Sequence, residues 1–179
     1  MRPPVCTLDA SSLIAPDHLD LLPQLSLLFS RVLLPTAVRQ EVFRRRATKQ
    51  RVRSAIRSYA FIEPCDNYDK AAVEILLTES GKPFGKDRGE AEAVVQAAAI
   101  GAMVIVDDSW GRKFAERFGR EVHGTYWILR RLYELGLVLS AATRRRFLKL
   151  FDRGIHLPWE TVNGSLLEIG EPPVDAGDG

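Results

Sequence analysis

Five acidic side chains, Asp9, Glu41, Glu90, Asp107 and Asp108, follow apolar runs or sit near helix starts, at spacings that fold to one edge of a sheet. Four carboxylates held close together cannot all stay ionised, because each raises the pKa of the others, and a counter-cation relieves the conflict. A set made only of oxygens, with room left for waters, favours Mg²⁺ or Mn²⁺ over Zn²⁺. Such an ion lowers the pKa of a water and steadies the leaving oxygen of a phosphodiester, which is the chemistry of metal-assisted nucleic-acid hydrolysis.

The elements that would position these acids are clearest in residues 87–108, DRGEAEAVVQAAAIGAMVIVDD. Gly89 marks a turn. Residues 90–99 are strong helix formers with Ala91, Val94, Val95 and Ala98 on one face, and Gly101 stops the helix. Residues 103–106 form a short β-branched run, as a strand buried on both faces does. A helix of about eleven residues descends about 16 Å, and roughly five extended residues climb back as far. Glu90 and the two aspartates therefore finish at the same edge, the carboxyl ends of the strands, where open α/β sheets place their sites. The same acids also suit plainer roles. Glu90 complements the positive end of its helix, Asp107 and Asp108 open a turn, and Asp9, with Ser11 and Ser12, caps one.

Further strands are expected at residues 5–8, 32–34, 61–63 and 121–123. Between them lie a broken helical region at 13–29, interrupted by Pro16 and Pro23, a helix from Ala37 carrying Glu41, and helices at 68–77, 110–115 and 125–135. This alternation implies a three-layer α/β/α fold around a five-stranded parallel sheet with right-handed crossovers. Residues 1–140 form the main domain. Residues 141–170 form a C-terminal helical extension packed on it, and the polar tail 171–179 is expected to be disordered.

A length of 179 residues with 46% hydrophobic content supports one real core. Cys6 and Cys65 are far apart in sequence and are expected as free thiols in a reducing compartment. No secretion signal or membrane span is recognisable, so a cytoplasmic location is expected. The net charge of +2 is uninformative, but between Arg39 and Arg57 lie seven arginines and one lysine against the single acid Glu41. Arg39, Arg44, Arg45, Arg46, Lys49, Arg51 and Arg53 form either a solvated helix face or a patch that grips phosphates by counterion release. Arg112 lies near enough to the acidic edge to meet an anion or a carboxylate. His123 has no nucleophile or ligand set beside it, and a structural role is expected for it. Dinucleotide-binding glycine loops, a Walker loop, a nucleophile elbow and paired CxxC motifs are absent, and LDASS lacks the second aspartate of an aspartyl-phosphate phosphatase.

The order of these acids resembles the PIN domain, the fold of VapC-type toxin ribonucleases. The matching residues are Asp9 in LDASSLI, Glu41 in PTAVRQEV, Glu90 in GEAEAV and the strand-terminal acid of VIVDD, followed by DDSWGRKFA and VHGTYWILRRLYELGL. The Gly-Glu pair at the fourth helix start is similar to one PIN-like branch, whereas typical members carry Asp there. The resemblance implies strand order 3-2-1-4-5 and a magnesium- or manganese-dependent endoribonuclease acting on RNA, often dimeric and often restrained by a protein antitoxin. A catalytically weak module that binds RNA or protein is the alternative. Asp9, Glu41, Glu90 and Asp108 would be the catalytic and metal-holding acids, Asp108 being favoured by its count from Glu90. Asp107 would then bind a second ion or cap the next helix. Ser11 and Thr125 would position water, and Arg112 substrate.

Overall fold

The structure, a computed structural model, describes residues 4–44, 46–81, 87–153 and 157–174. Five parallel strands, β1 (Val5–Leu8), β2 (Arg31–Leu34), β3 (Ile62–Pro64), β4 (Met103–Ile105) and β5 (Val122–His123), pair in the order β3-β2-β1-β4-β5. Helices cover both faces, so the expected three-layer α/β/α architecture and strand order are what the chain adopts. The chain leaves β1 towards β2 on one side and later returns to β4 on the other. The sheet therefore reverses direction between β1 and β4, the point at which open α/β sheets leave a crevice. Asp9 and Asp107 follow those two strands, and the Asp9 N–H donates to the Ile105 carbonyl at 3.2 Å.

Strand alternation divides the interior in two. Met103 and Ile105 of β4 join one core with Cys6, Leu8, Val32 and Leu34. That core is covered by α1 (Ala10–His18), α2 (Leu25–Leu28), α3 (Thr36–Arg44), α4 (Arg46–Ser58), α8 (Thr125–Glu134), α9 (Ser140–Asp152) and α10 (Trp159–Glu168). Val104 and Val106 join the other, under α5 (Lys70–Ser80), α6 (Arg88–Ile100) and α7 (Ser109–Arg117). Thr7 faces this second layer, where its hydroxyl donates to the Ala93 carbonyl of α6 at 2.9 Å. Helix α6 ends where its sequence says it should, at Gly101 with φ of 71°, a conformation that a Cβ disfavours.

The helix from Ala37 is described on either side of residue 45, as α3 and α4, whose buried faces carry Val38 and Val42 in the first and Val52 and Ala55 in the second. One expectation changes. The tail does not begin in disorder. Val174 is 1% exposed in the core, the Asn163 amide both donates to its carbonyl and accepts from its N–H, and Arg144 donates to the carbonyls of Pro172 and Pro173. One apolar residue with a core socket and a side-chain amide for its backbone is enough to tie the segment down. Residues 175–179 lie outside the described part. Phe147, Leu150, Val162 and Leu166 sit in the same core as β1, so the C-terminal helices complete one face of the sheet. Both cysteines are free, and burial pushes the Cys6 thiol up. Among the described residues, no helix is long and apolar enough to cross a membrane.

Candidate active site

Asp9 ends β1 and caps α1 in one step. Its Oδ1 accepts from the Ser12 N–H at 2.7 Å and its Oδ2 accepts from the Ser11 hydroxyl at 2.8 Å. These bonds favour the carboxylate, yet burial and then the charge of Asp107 outweigh them, and its pKa rises from 3.8 to about 7. Only 4% of the residue is exposed.

The adjacent aspartates divide between the two faces of the sheet. Asp107 shares the alternation of Met103 and Ile105, so it points towards α8. There its Oδ1 accepts from the Thr125 N–H at 2.7 Å and its Oδ2 from the Thr125 hydroxyl at 2.6 Å. Burial pushes its pKa up, against those two bonds and the nearby Arg112 guanidinium, which lower it. Asp108 shares the alternation of Val104 and Val106 and caps α7, its Oδ1 accepting from the Trp110 N–H at 2.7 Å. Asp108 thus caps a helix, and the carboxylate whose charge acts on Asp9 is that of Asp107.

The hydroxyls of Ser11 and Thr125 donate to the carboxylates themselves, so these residues orient the acids. Gly124 was legible only as a helix start. It is also a slot for Asp107, because a Cβ there would come within 2.7 Å of the Asp107 Oδ1. Two more glycines lie beside carboxylates: a Cβ on Gly89 would lie 3.6 Å from the Glu41 Oε2, and one on Gly111 would lie 3.6 Å from the Glu90 Oε2. Glu41 therefore reaches the first turn of α6, and Glu90 reaches α7. Among the described residues, no three His, Cys, Asp or Glu side chains stand close enough together to hold one ion. The compact part of the site is the Asp9 and Asp107 pair. In donor chemistry that pair fits Mg²⁺ or Mn²⁺, hard ions bound through one or two carboxylates with waters completing the shell.

The basic stretch is more neutralised than its composition suggests. Arg51 donates to both oxygens of the buried Asp17 at 2.8 and 2.7 Å, and Arg39 donates to Asp66 at 2.7 Å and to the Thr36 hydroxyl at 2.8 Å. Arg53 lies over the Phe43 ring at 4.7 Å. Asp17 is eight residues along α1 from Asp9, about 12 Å at helical rise. The Arg51 anchor therefore ties this part of α4 to the far end of α1 rather than to the acids. A cleft of about 630 Å³ lined by Lys49, Gln50, Arg53 and Arg57 keeps the outer face of α4 cationic. Arg44 lies at the end of α3, Arg46 opens α4, and Arg45 is outside the described residues. His123 stacks on Trp127 at 4.3 Å between ring centroids and pairs with Glu121, the structural role expected of it.

A family model described as a PIN domain matches residues 5–171. No curated protein matches the chain.

Proposed function

From the premise that the chain belongs to the PIN-domain family, whose members are in general nucleases, we propose that it is a metal-dependent endoribonuclease. The observation that carries this reading is the placement of Asp9 and Asp107, two buried carboxylates that raise the charge cost of one site, at the crevice where the strand order reverses. Asp9 and Asp107 would hold Mg²⁺ or Mn²⁺, with Glu90 and Glu41 flanking them. A cation so held would supply an acidified water and offset the charge on the departing oxygen. Ser11, Ser12 and Thr125 fix the carboxylates in place before anything binds, so little reorganisation is left for the reaction. Arg112, close enough to lower the pKa of Asp107, would meet the scissile phosphate, and the cationic face of α4 would hold more of the backbone.

A second reading, a module that grips RNA without cutting it, is favoured by one observation: no three acids share an ion-sized space among the described residues. Calorimetry with Mn²⁺, paired with cleavage of a labelled single-stranded RNA, decides between the two. The wild type is expected to bind Mn²⁺ and to cut, and Asp9→Asn to lose roughly a thousandfold in rate, about 4 kcal/mol of barrier. Equal cleavage by wild type and Asp9→Asn would end the nuclease proposal. RNA binding with no Mn²⁺ heat would establish the second reading.

A further inference from the structure

We propose that a polar pocket beside the acidic edge, lined by Thr36, Gln40, Asp66, Tyr68, Lys70 and Arg88, receives one unstacked base of a single-stranded RNA whose backbone crosses the Asp9 and Asp107 pair. The proposal rests on the nuclease reading only in taking RNA as the substrate. Its location comes first. The pocket opens at the carboxyl ends of β2 and β3, where the Cys65 N–H donates to the Leu34 carbonyl, so it shares the edge that bears the acids. Gln40 precedes Glu41 on α3. Arg88 and Glu92 lie two residues either side of Glu90 on α6, about 200° round the helix at 3.6 residues per turn. The pocket and the acids therefore flank opposite sides of the first turn of α6, separated by roughly one helix diameter, about 10 Å. A strand lying across that turn would place a neighbouring nucleotide over the pocket.

The walls are built and already satisfied. Glu92, 4% exposed, accepts from the Ala37 N–H at 2.7 Å and pairs with Arg88 at 3.3 Å. Asp66 accepts from the Thr36 hydroxyl at 2.7 Å and from Arg39. Gln96 donates to the Cys65 carbonyl at 2.6 Å behind them. The charges lining the pocket cancel, Lys70 and Arg88 against Asp66 and Glu92, which suits an uncharged heterocycle better than a second phosphate. Among the described residues, the Gln40 amide and the Lys70 ammonium have no hydrogen-bond or ion-pair partner. The Tyr68 side chain lines the same pocket, and burial and then the nearby Glu92 carboxylate push its pKa up. An amide with both donor and acceptor, an ammonium and an aromatic ring are the groups by which proteins read and stack splayed bases. The volume of about 310 Å³ is at the small end of ligand pockets and matches one base rather than an extended segment. The larger cleft on α4 has cations and serines but no aromatic ring, so it suits backbone and not base.

The test is sequencing of the ends produced when wild type, Gln40→Ala and Tyr68→Ala cut a randomised single-stranded RNA with Mn²⁺. Wild type is expected to prefer one base at a fixed distance from the cut. Gln40→Ala should flatten that preference about tenfold, and Tyr68→Ala should raise KM about tenfold for all sequences. A wild type blind to base, or a preference that both variants retain, overturns the proposal while leaving the nuclease reading intact. A second arm needs no cleavage. Fluorescence anisotropy of four labelled homopolymeric tetranucleotides on Asp9→Asn should show a base-dependent affinity that Asp9→Asn/Gln40→Ala loses, even if the wild type never cuts. No binding of any of the four would sink the pocket and the RNA substrate together.

Discussion

Helix α1 carries a buried aspartate at each end, and the two are treated in opposite ways. Asp17, in the last turn, is 2% exposed and accepts from both Nε and Nη2 of the Arg51 guanidinium. Asp9, at the cap, is 4% exposed and receives a backbone N–H and a hydroxyl, but the charge that faces it is the carboxylate of Asp107. Pairing is the ordinary solution to a buried charge. Leaving two like charges together is not, and the contrast teaches where folding stops being the constraint: the Asp17 end completes itself from the chain, whereas the Asp9 end keeps a repulsion that a proton, or the cation proposed above, would relieve.

The largest effect that would sharpen this contrast is in pH and stability. Asp9 titrates at about 7 when folded, against 3.8 in its ordinary state, so the folded protein holds the proton more tightly than the unfolded chain. The stability this confers is full below pH about 4 and lost as pH rises through about 7, on the order of 4 kcal/mol as an upper limit. The raised pKa of Asp107 acts in the same direction. In metal-free buffer, Asp9→Asn keeps the cap, since Asn accepts from the Ser12 N–H as Asp does. Its urea midpoint is expected to exceed that of wild type at pH 8 and to equal it at pH 4. Saturating Mn²⁺ should close the gap at pH 8 by stabilising wild type alone, by about 2.7 kcal/mol at a hundred times Kd. A wild-type midpoint that stays flat from pH 4 to 8 would mean that the two carboxylates do not oppose each other.

At the other end of the helix the sign reverses. Arg51→Ala removes both donors from a carboxylate with no exposure to spare, and is expected to cost about 2 kcal/mol at neutral pH. That is below the 3–5 kcal/mol of a fully buried pair, because Arg51 is nearly half exposed and its interaction is partly screened. Adding Asp17→Asn should recover most of the loss in a urea titration. If Arg51→Ala proves neutral, water has replaced the guanidinium and Asp17 is no counterpart to Asp9.

The sheet was legible because β1, β2 and β4 are short apolar runs, two of them followed by the aspartate that caps the next helix, and both signals are local. Asp9 was legible for the same reason. The choice between Asp107 and Asp108 was not. Alternation says that they face opposite ways, but only the packing of α8 against the Ile105 side and α7 against the Val106 side says which of them meets Asp9. The basic stretch misleads for a related reason. Its charges are visible in sequence, whereas Asp66 and Asp17, which bind Arg39 and Arg51, lie 27 and 34 residues away. Val174 shows the limit of composition, since one apolar residue in a polar tail carries no periodic signal.

The smallest effect isolates Asp107 from the fold around it. Gly124 has φ of −106° and ψ of 175°, extended backbone open to any residue, so Gly124→Ala introduces no strain of its own. What it introduces is a methyl group 2.7 Å from the Asp107 Oδ1, a contact that carbon and oxygen do not tolerate, and the carboxylate must turn from its Thr125 bonds. A loss of about tenfold in cleavage rate is expected, about 1.4 kcal/mol, with Mn²⁺ affinity falling in step. Gly164→Ala is the matched control: it sits inside α10 with nothing within 4 Å, and should stabilise the protein by up to about 1 kcal/mol while leaving cleavage alone. Should both alanine variants cut at the wild-type rate, Asp107 would be an ordinary buried acid held by Thr125, and the two ends of α1 would differ in stability only.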